Sequence, residues 1–284
     1  MAQVNIAITG ASGMIGKRLQ QRFAEAGHTP RAIARAAAVP SCDALVHLAG
    51  EPIAQRWTEA AKKRIYDSRV EGTRSLVNAL SKQSNRPRVL VCASAVGFYG
   101  SRGDEILTEK SPAGAGFLPH LAIDWEESAR LAEPLGIRVI SLRFGMILGH
   151  GGALAKLLPP FRLGAGGRLG SGRQWMSWIH IDDAVSLILF AIENTAGAAL
   201  RGSVNATAPH PVTNDEFTRR LAAALHRPAI FPVPAFALKL AFGEMSEVLL
   251  DSQRVLPTAA QAAGFHFQYP ELAAALENIL GTLQ

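Results

Sequence analysis

Gly10, Gly13 and Gly16 stand three apart. They follow Gln3-Val4-Asn5-Ile6-Ala7-Ile8-Thr9, a short run rich in β-branched residues, and precede an amphipathic stretch from Lys17 to Ala26. A strand, a glycine turn and a helix in that order make a seat for a dinucleotide pyrophosphate. The glycines let the backbone turn tightly and approach the phosphates, and the helix N-terminus offers free N–H groups and a positive dipole end. Gly10, Ala11, Ser12, Gly13, Met14, Ile15 and Gly16 are therefore assigned to a cofactor. The spacing is G-x-x-G-x-x-G, where the commoner fingerprint is G-x-G-x-x-G.

The choice of dinucleotide is made at the end of the second strand, read here as Pro30 to Arg35. An acid at that place would hydrogen-bond a ribose 2′-hydroxyl, whereas an arginine accommodates a 2′-phosphate. The residue is Arg35, and no acid lies between Glu25 and Asp43. The expected cofactor is NADP.

Carboxyl ends of parallel strands are where ligands bind in such sheets. Asp43 to Gly50 is the third strand, and its end, Leu48, Ala49 and Gly50, is assigned to the cofactor. His47 beside it reads as a satisfied core histidine. The next strand, Arg88 to Ala93, brings Ala93 to the cofactor and ends at Ser94, whose hydroxyl could polarise a substrate carbonyl. The strand Ile137 to Leu142 delivers Arg143 and Phe144 to the same edge.

The elements that must position these residues are legible in outline. Helical patterns cover 57–80, with a break near Tyr66-Asp67, then 118–132, 153–161 and 182–193. Gly27 suits a left-handed cap for the first helix, and Asp182 or Asp183 suits the N-cap and first turn of the last. Only seven residues, Ala36 to Cys42, separate the second strand from the third. A crossover helix needs ten or more, so a helix of the usual doubly wound sheet should be missing there. Glycine-rich loops, 95–116 and 145–172, have the length of functional segments. A short strand covers 202–206, and the rest is helical with proline-rich joints.

At 284 residues, 48% apolar and 18% charged, the chain is a globular protein of one large domain or two. Cys42 and Cys92 give neither a disulfide framework nor a metal spacing, which points to the cytoplasm. No leader precedes the first strand, and Pro232, Pro234 and Lys239 interrupt the longest apolar run, so no membrane partner is expected. Net charge is +6. The basic residues are scattered without a recognition pattern, so no nucleic-acid partner is expected.

Taken together, Thr9 to Gly16, His47 to Gly50, Gly72-Thr73, Ser94 with Tyr99-Gly100, and Trp178-Ile179-His180-Ile181-Asp182-Asp183 resemble the extended short-chain dehydrogenase/reductases. Ser94 to Gly100, Gly166 to Gly172, Gly243-Glu244-Met245 and Gly264 to Phe267 are similar to its atypical YfcH-like branch, the NAD-dependent epimerase/dehydratase-like "epimerase family" with a C-terminal domain of unknown function. The resemblance implies an α/β Rossmann-type doubly wound parallel sheet, residues 1–145 and 177–206. It also implies a smaller, mostly helical substrate lobe, residues 146–176 and 207–284. Its implied cofactor is NADP, in agreement with Arg35.

That superfamily works with a serine and with a tyrosine and lysine four apart, the lysine lowering the tyrosine pKa for proton transfer. From Gly116 to Arg130 there is neither tyrosine nor lysine. His120 and Asp124 hold that spacing and could trade protons near neutral pH. Tyr99 is the other candidate acid. Arg173, Gln174 and His180 fall where extended members hold a nucleotide sugar, with Trp178 to stack on a ring, so the substrate is a small polar molecule, anionic or nucleotide-linked. The expected activity is hydride transfer on a carbonyl or hydroxyl by an oxidoreductase or epimerase-like enzyme. The alternative is a catalytically degenerate NADP(H)-binding redox sensor. Helices 57–80 and 118–132 could pair in a homodimer.

Overall fold

The computed structural model describes residues 3–34, 39–194 and 200–281. Six strands form one fully parallel sheet: β1 Asn5–Thr9, β2 Thr29–Ile33, β3 Ala44–His47, β4 Val89–Ala95, β5 Arg138–Phe144 and β6 Gly202–Ala206. Their spatial order is β2-β1-β3-β4-β5-β6. Alternation along each strand divides the core into two. Ile6, Ile8, Val46, Val91 and Leu142 point to one face, where α1 Met14–Glu25 and α5 Ile181–Glu193 cover them. Ala7, Leu45, Leu90, Cys92 and Val139 point to the other, under α2 Glu59–Ser81 and α3 Phe117–Arg130. A parallel sheet buried on both faces explains strands that read as continuous apolar runs.

From β1 the chain adds β2 on one side and then β3 to β6 on the other, so the strand order reverses between β1 and β3 and the topological switch point lies at their carboxyl ends. β3 pairs directly with β1, and among the described residues no helix occupies 34–43. The connection from β2 to β3 still crosses β1, but its described residues carry no helix, in keeping with the short spacing. Arg35 lies outside the described residues.

Two helical expectations need correction. α2 runs unbroken through Tyr66-Asp67, because Ile65, Ser68 and Val70 keep the buried seam continuous and Lys63 reaches Asp67 at 2.6 Å along the solvent face. The N-cap of α5 is His180, whose Nδ1 accepts the amide of Asp182 at 3.1 Å, while Asp182 and Asp183 fill the first turn as expected. Asp183 is instead turned inward to accept the amides of Gln268 and Tyr269.

A third core, with Leu154, Leu158, Phe161, Trp178, Phe217, Leu221 and Leu276, joins α4 Gly152–Arg162, α6 Asn214–Ala224 and α8 Leu272–Gly281. α7 Ala235–Phe242 lies between α6 and α8 in the chain. Packing crosses the expected boundaries at both ends: Trp178 belongs to this third core, while Ala260 and Phe265 pack against the sheet.

Candidate functional site

At the switch point, Gly10 has φ +69°, and a Cβ there would lie 2.7 Å from the carbonyl carbon of Leu48. The turn after β1 therefore rests on the segment Leu48-Ala49-Gly50 after β3. Gly16 is packed as closely, since a Cβ on it would meet the Gly10 carbonyl oxygen at 2.4 Å. Gly13 differs. It is the N-cap of α1, and a Cβ would meet only the Gly10 carbonyl oxygen, at 3.3 Å. Two glycines hold the turn together, and the third leaves the helix N-terminus open with its first amides lacking intrahelical acceptors. Ser12 beside it is exposed. The turn has the shape of a phosphate cradle, and the residues present fit a dinucleotide. The glycines of the loop 149–152 lie against Met14, beside this N-terminus.

His47 is the core histidine expected from the sequence: Nδ1 meets Thr9 Oγ1 at 2.6 Å and Nε2 meets Thr73 Oγ1 at 3.1 Å. Thr9 Oγ1 also accepts the amide of Ala49, which fixes the strand-end segment.

Ser94, Tyr99 and Arg143 depart from their expected roles. Each is drawn into a buried network around Glu126 of α3. Ser94 donates to Glu126 Oε1 at 2.7 Å, and Ser203 donates to Oε2 at 2.6 Å. Arg143 donates to both carboxylate oxygens at 2.7 and 2.8 Å. It also donates to the Tyr99 hydroxyl at 3.0 Å, and its guanidinium lies 3.4 Å over the Phe98 ring. Tyr99, 0% exposed, donates to Asn205 Oδ1 at 2.7 Å. Burial pushes its phenol above the ordinary range, although Arg143 opposes this. Burial pulls the Arg143 guanidinium down, but Glu126 outweighs it and holds the group fully charged. Neither hydroxyl faces open space, and the Arg143 guanidinium is committed to partners other than a phosphate. Phe144 alternates to the opposite face and packs in the core, while Ala93 is half-buried between the two core layers. Glu126 escaped the sequence reading, though an acid on the apolar face of α3, between Ala122 and Ala129, was the trace it left.

His120 is arranged otherwise. Its side chain is 70% exposed, with Nε2 3.4 Å from Asp124 Oδ2. The same Oδ2 accepts the hydroxyl of Tyr66 from α2 at 2.6 Å, and the Tyr66 and His120 rings stack. The bond to Asp124 pushes the Tyr66 phenol up to about 12, so Tyr66 stays a donor and holds the carboxylate in place. Arg69, one turn further along α2, donates to the Glu51 carbonyl just after Gly50 and lies 5.2 Å over Trp125. This arginine ties α2 and Trp125 of α3 to the strand-end rim. Tyr66 and Asp124 are 58 residues apart in the chain, beyond the reach of any local spacing.

In the lobe, Arg173 and Arg168 line a groove of about 590 Å³ with Asp104, Trp175, Thr213 and Asp215. The other three substrate candidates are structural. Gln174 is buried and its amide donates to the Leu169 and Leu249 carbonyls. Trp178 is fully buried with its indole N–H on the His210 carbonyl. His180 is buried as the α5 cap against Tyr269, and burial holds its imidazole below the ordinary range, in the neutral form the cap requires.

A doubly wound sheet with a glycine turn at its switch point defines a dinucleotide-binding class of fold. Residues 6–206 match the NAD dependent epimerase/dehydratase family, and residues 233–279 match a domain of unknown function, DUF1731. The chain belongs to that epimerase family. It is 38% identical to the epimerase family protein YfhF of Bacillus subtilis, over 98% of both chains. The chloroplastic SDR39U1 homolog of Arabidopsis thaliana is 39% identical, over 98% of this chain and 87% of that protein. The crystal structure of human epimerase family protein SDR39U1 (isoform 2), with NADPH, superposes with a TM-score of 0.92 at 35% identity, over 98% of this chain and 99% of that one.

Proposed function

We propose that this protein binds NADP(H) and acts as an oxidoreductase or epimerase-like enzyme on a small, polar, anionic carbonyl or alcohol. The cradle of Gly10, Gly13 and Gly16 holds the pyrophosphate against the α1 N-terminus, with Leu48, Ala49 and Gly50 as its second wall. Arg35 receives the 2′-phosphate. The crystallised human relative, which carries NADPH, supports this assignment. When bound, the nicotinamide supplies or accepts the hydride.

The chain's own contribution is positioning and a proton. His120 replaces the tyrosine of the superfamily as general acid and base. Its Nε2 faces Asp124, which leaves Nδ1 as the ring nitrogen that meets a substrate oxygen. Asp124, held by the Tyr66 hydroxyl, fixes the ring orientation and balances the imidazolium when it forms. Arg168 and Arg173 hold the anionic part of the substrate through charge-assisted hydrogen bonds. The observation that carries this reading is the single carboxylate of Asp124 shared by Tyr66 and an open histidine.

The sequestration of Ser94 and Tyr99 favours a second reading, an NADP(H)-binding sensor without turnover. The test incubates the protein with saturating NADPH, and separately with NADP+, across a panel of phosphorylated and carboxylated carbonyl compounds and alcohols, following both net cofactor turnover and isomerised product, because epimerisation returns its hydride and consumes no net cofactor. Turnover lost in His120→Ala supports the enzyme. Tight NADPH binding with no turnover on any member assigns the sensor.

A further inference from the structure

Among the described residues, nine large apolar side chains are exposed, and six of them fall in two short segments of the lobe: Leu163, Ile230, Phe231, Phe236, Leu240 and Phe242. Tertiary contacts merge these segments into one surface. The Phe231 amide reaches the Gly166 carbonyl, the Val233 amide donates to Arg168 O at 2.8 Å, and Gly170 N donates to Val233 O at 2.8 Å. A Cβ on Gly167 would fall 1.8 Å from the Phe231 carbonyl oxygen, so the backbones are in direct contact. Phe236 and Leu240, 74% and 79% exposed, then stand one turn apart on α7, while Leu238 between them points inward.

Charge on these segments has one sign. Residues 162–173 and 226–243 contain Arg162, Arg168, Arg173, Arg227 and Lys239, all exposed, and no aspartate or glutamate. Glu244, just beyond α7, is drawn away to Lys62 at 2.6 Å. Protruding aliphatic and aromatic side chains on a basic surface suit an interface whose outer layer is anionic and whose interior is apolar. Arg168 and Arg173 share their groove with Asp104 and Asp215, but a second copy of this chain would still set Arg162, Arg227 and Lys239 against their own like charges, with no acid in either segment to meet them.

We propose that this face is a docking surface for an anionic lipid bilayer, entered to headgroup depth by Phe236, Leu240 and Phe231 while Arg162, Arg227 and Lys239 meet lipid phosphates. No described helix is long and apolar enough to cross a membrane, and none is needed: the contact is peripheral. The sequence alone predicted no membrane partner, because a search for spans cannot see a patch assembled from two separate segments.

The experiment is flotation of the full chain with vesicles of phosphatidylglycerol and phosphatidylcholine, against vesicles of phosphatidylcholine alone. Partitioning onto the anionic vesicles at low salt is expected, with loss at high salt. Phe236→Asp with Leu240→Asp should weaken it by at least about ten-fold with an unchanged melting curve, because both side chains are exposed. Arg227→Gln and Lys239→Gln should each weaken it about five-fold. No flotation at low salt, or flotation that both pairs of substitutions leave intact, overturns the proposal. So does a concentration-dependent dimer in sedimentation that the Asp pair abolishes, which assigns the face to a second copy.

Discussion

The guanidinium of Arg143 meets the carboxylate of Glu126 through hydrogen bonds of 2.7 and 2.8 Å, and both side chains are almost wholly shielded from water. The pair bonds β5 to α3 beneath the sheet's carboxyl edge and gathers Ser94, Ser203 and Tyr99 around it. Removing one partner of such a pair strands the other charge, at a cost of about 3–5 kcal/mol. Glu126→Gln should lower the urea midpoint accordingly, whereas Ser94→Ala should cost about 1 kcal/mol. Equal, small effects in both would show that the network is not the anchor described.

Gly16 and Gly13 should separate folding from binding. Gly16→Ala places a Cβ 2.4 Å from the Gly10 carbonyl oxygen and should destabilise the fold by about 1–3 kcal/mol. Gly13→Ala meets the same oxygen at only 3.3 Å, so the melt should change little while NADPH affinity falls on the order of ten-fold as the methyl occupies the phosphate approach. Isothermal titration and thermal melts of both variants measure this.

Three substitutions distinguish the proton donor from the scaffold. His120→Ala should lower kcat by about 10²–10⁴ with stability intact, since the side chain is mostly exposed. Tyr66→Phe should lower kcat less, and only while His120 is present, because it acts through Asp124. Tyr99→Phe should cost stability, with kcat per folded molecule preserved. A kcat loss confined to Tyr99→Phe would return the acid to the position the sequence first offered.

Arg35→Asp should erase a preference for NADPH over NADH by taking away the 2′-phosphate partner and supplying a ribose acceptor. Thermal shifts with each cofactor at equal concentration report it. Equal shifts in the unmodified protein would remove the argument from Arg35.

Asp251 supplies a pH dependence. Burial, then the nearby Glu247, pushes its carboxyl from 3.8 up to about 6. The unfolded chain ionises first, so the folded state loses relative stability as pH rises from about 4 to about 6, and the loss is complete above that. The full shift corresponds to about 3 kcal/mol, which solvent at this half-buried site reduces to about 1 kcal/mol. Asp251→Asn should therefore raise Tm at pH 7.5 and leave it unchanged near pH 4.

The first sixteen residues determined where the cofactor seat lies. β-branched alternation, a glycine turn and an amphipathic helix are local patterns, and the contact that needs Gly16 arises within that turn, whereas the contact that needs Gly10 comes from Leu48 after β3. The short spacing before Asp43 likewise limited what the crossover can hold, and its described residues carry no helix. The sequence also set the resemblance that carried the fold class. The tertiary structure decided everything that depends on side chains meeting from distant segments. It turned Ser94, Tyr99 and Arg143 inward onto Glu126, because a buried acid on α3 needs every donor within reach. It made His180 a cap and Trp178 a core residue, and it brought Tyr66 to Asp124 across 58 residues. Burial and hydrogen-bond partnership are properties of three-dimensional neighbours, and no spacing along the chain encodes which of two faces a serine, a tyrosine or an arginine will take.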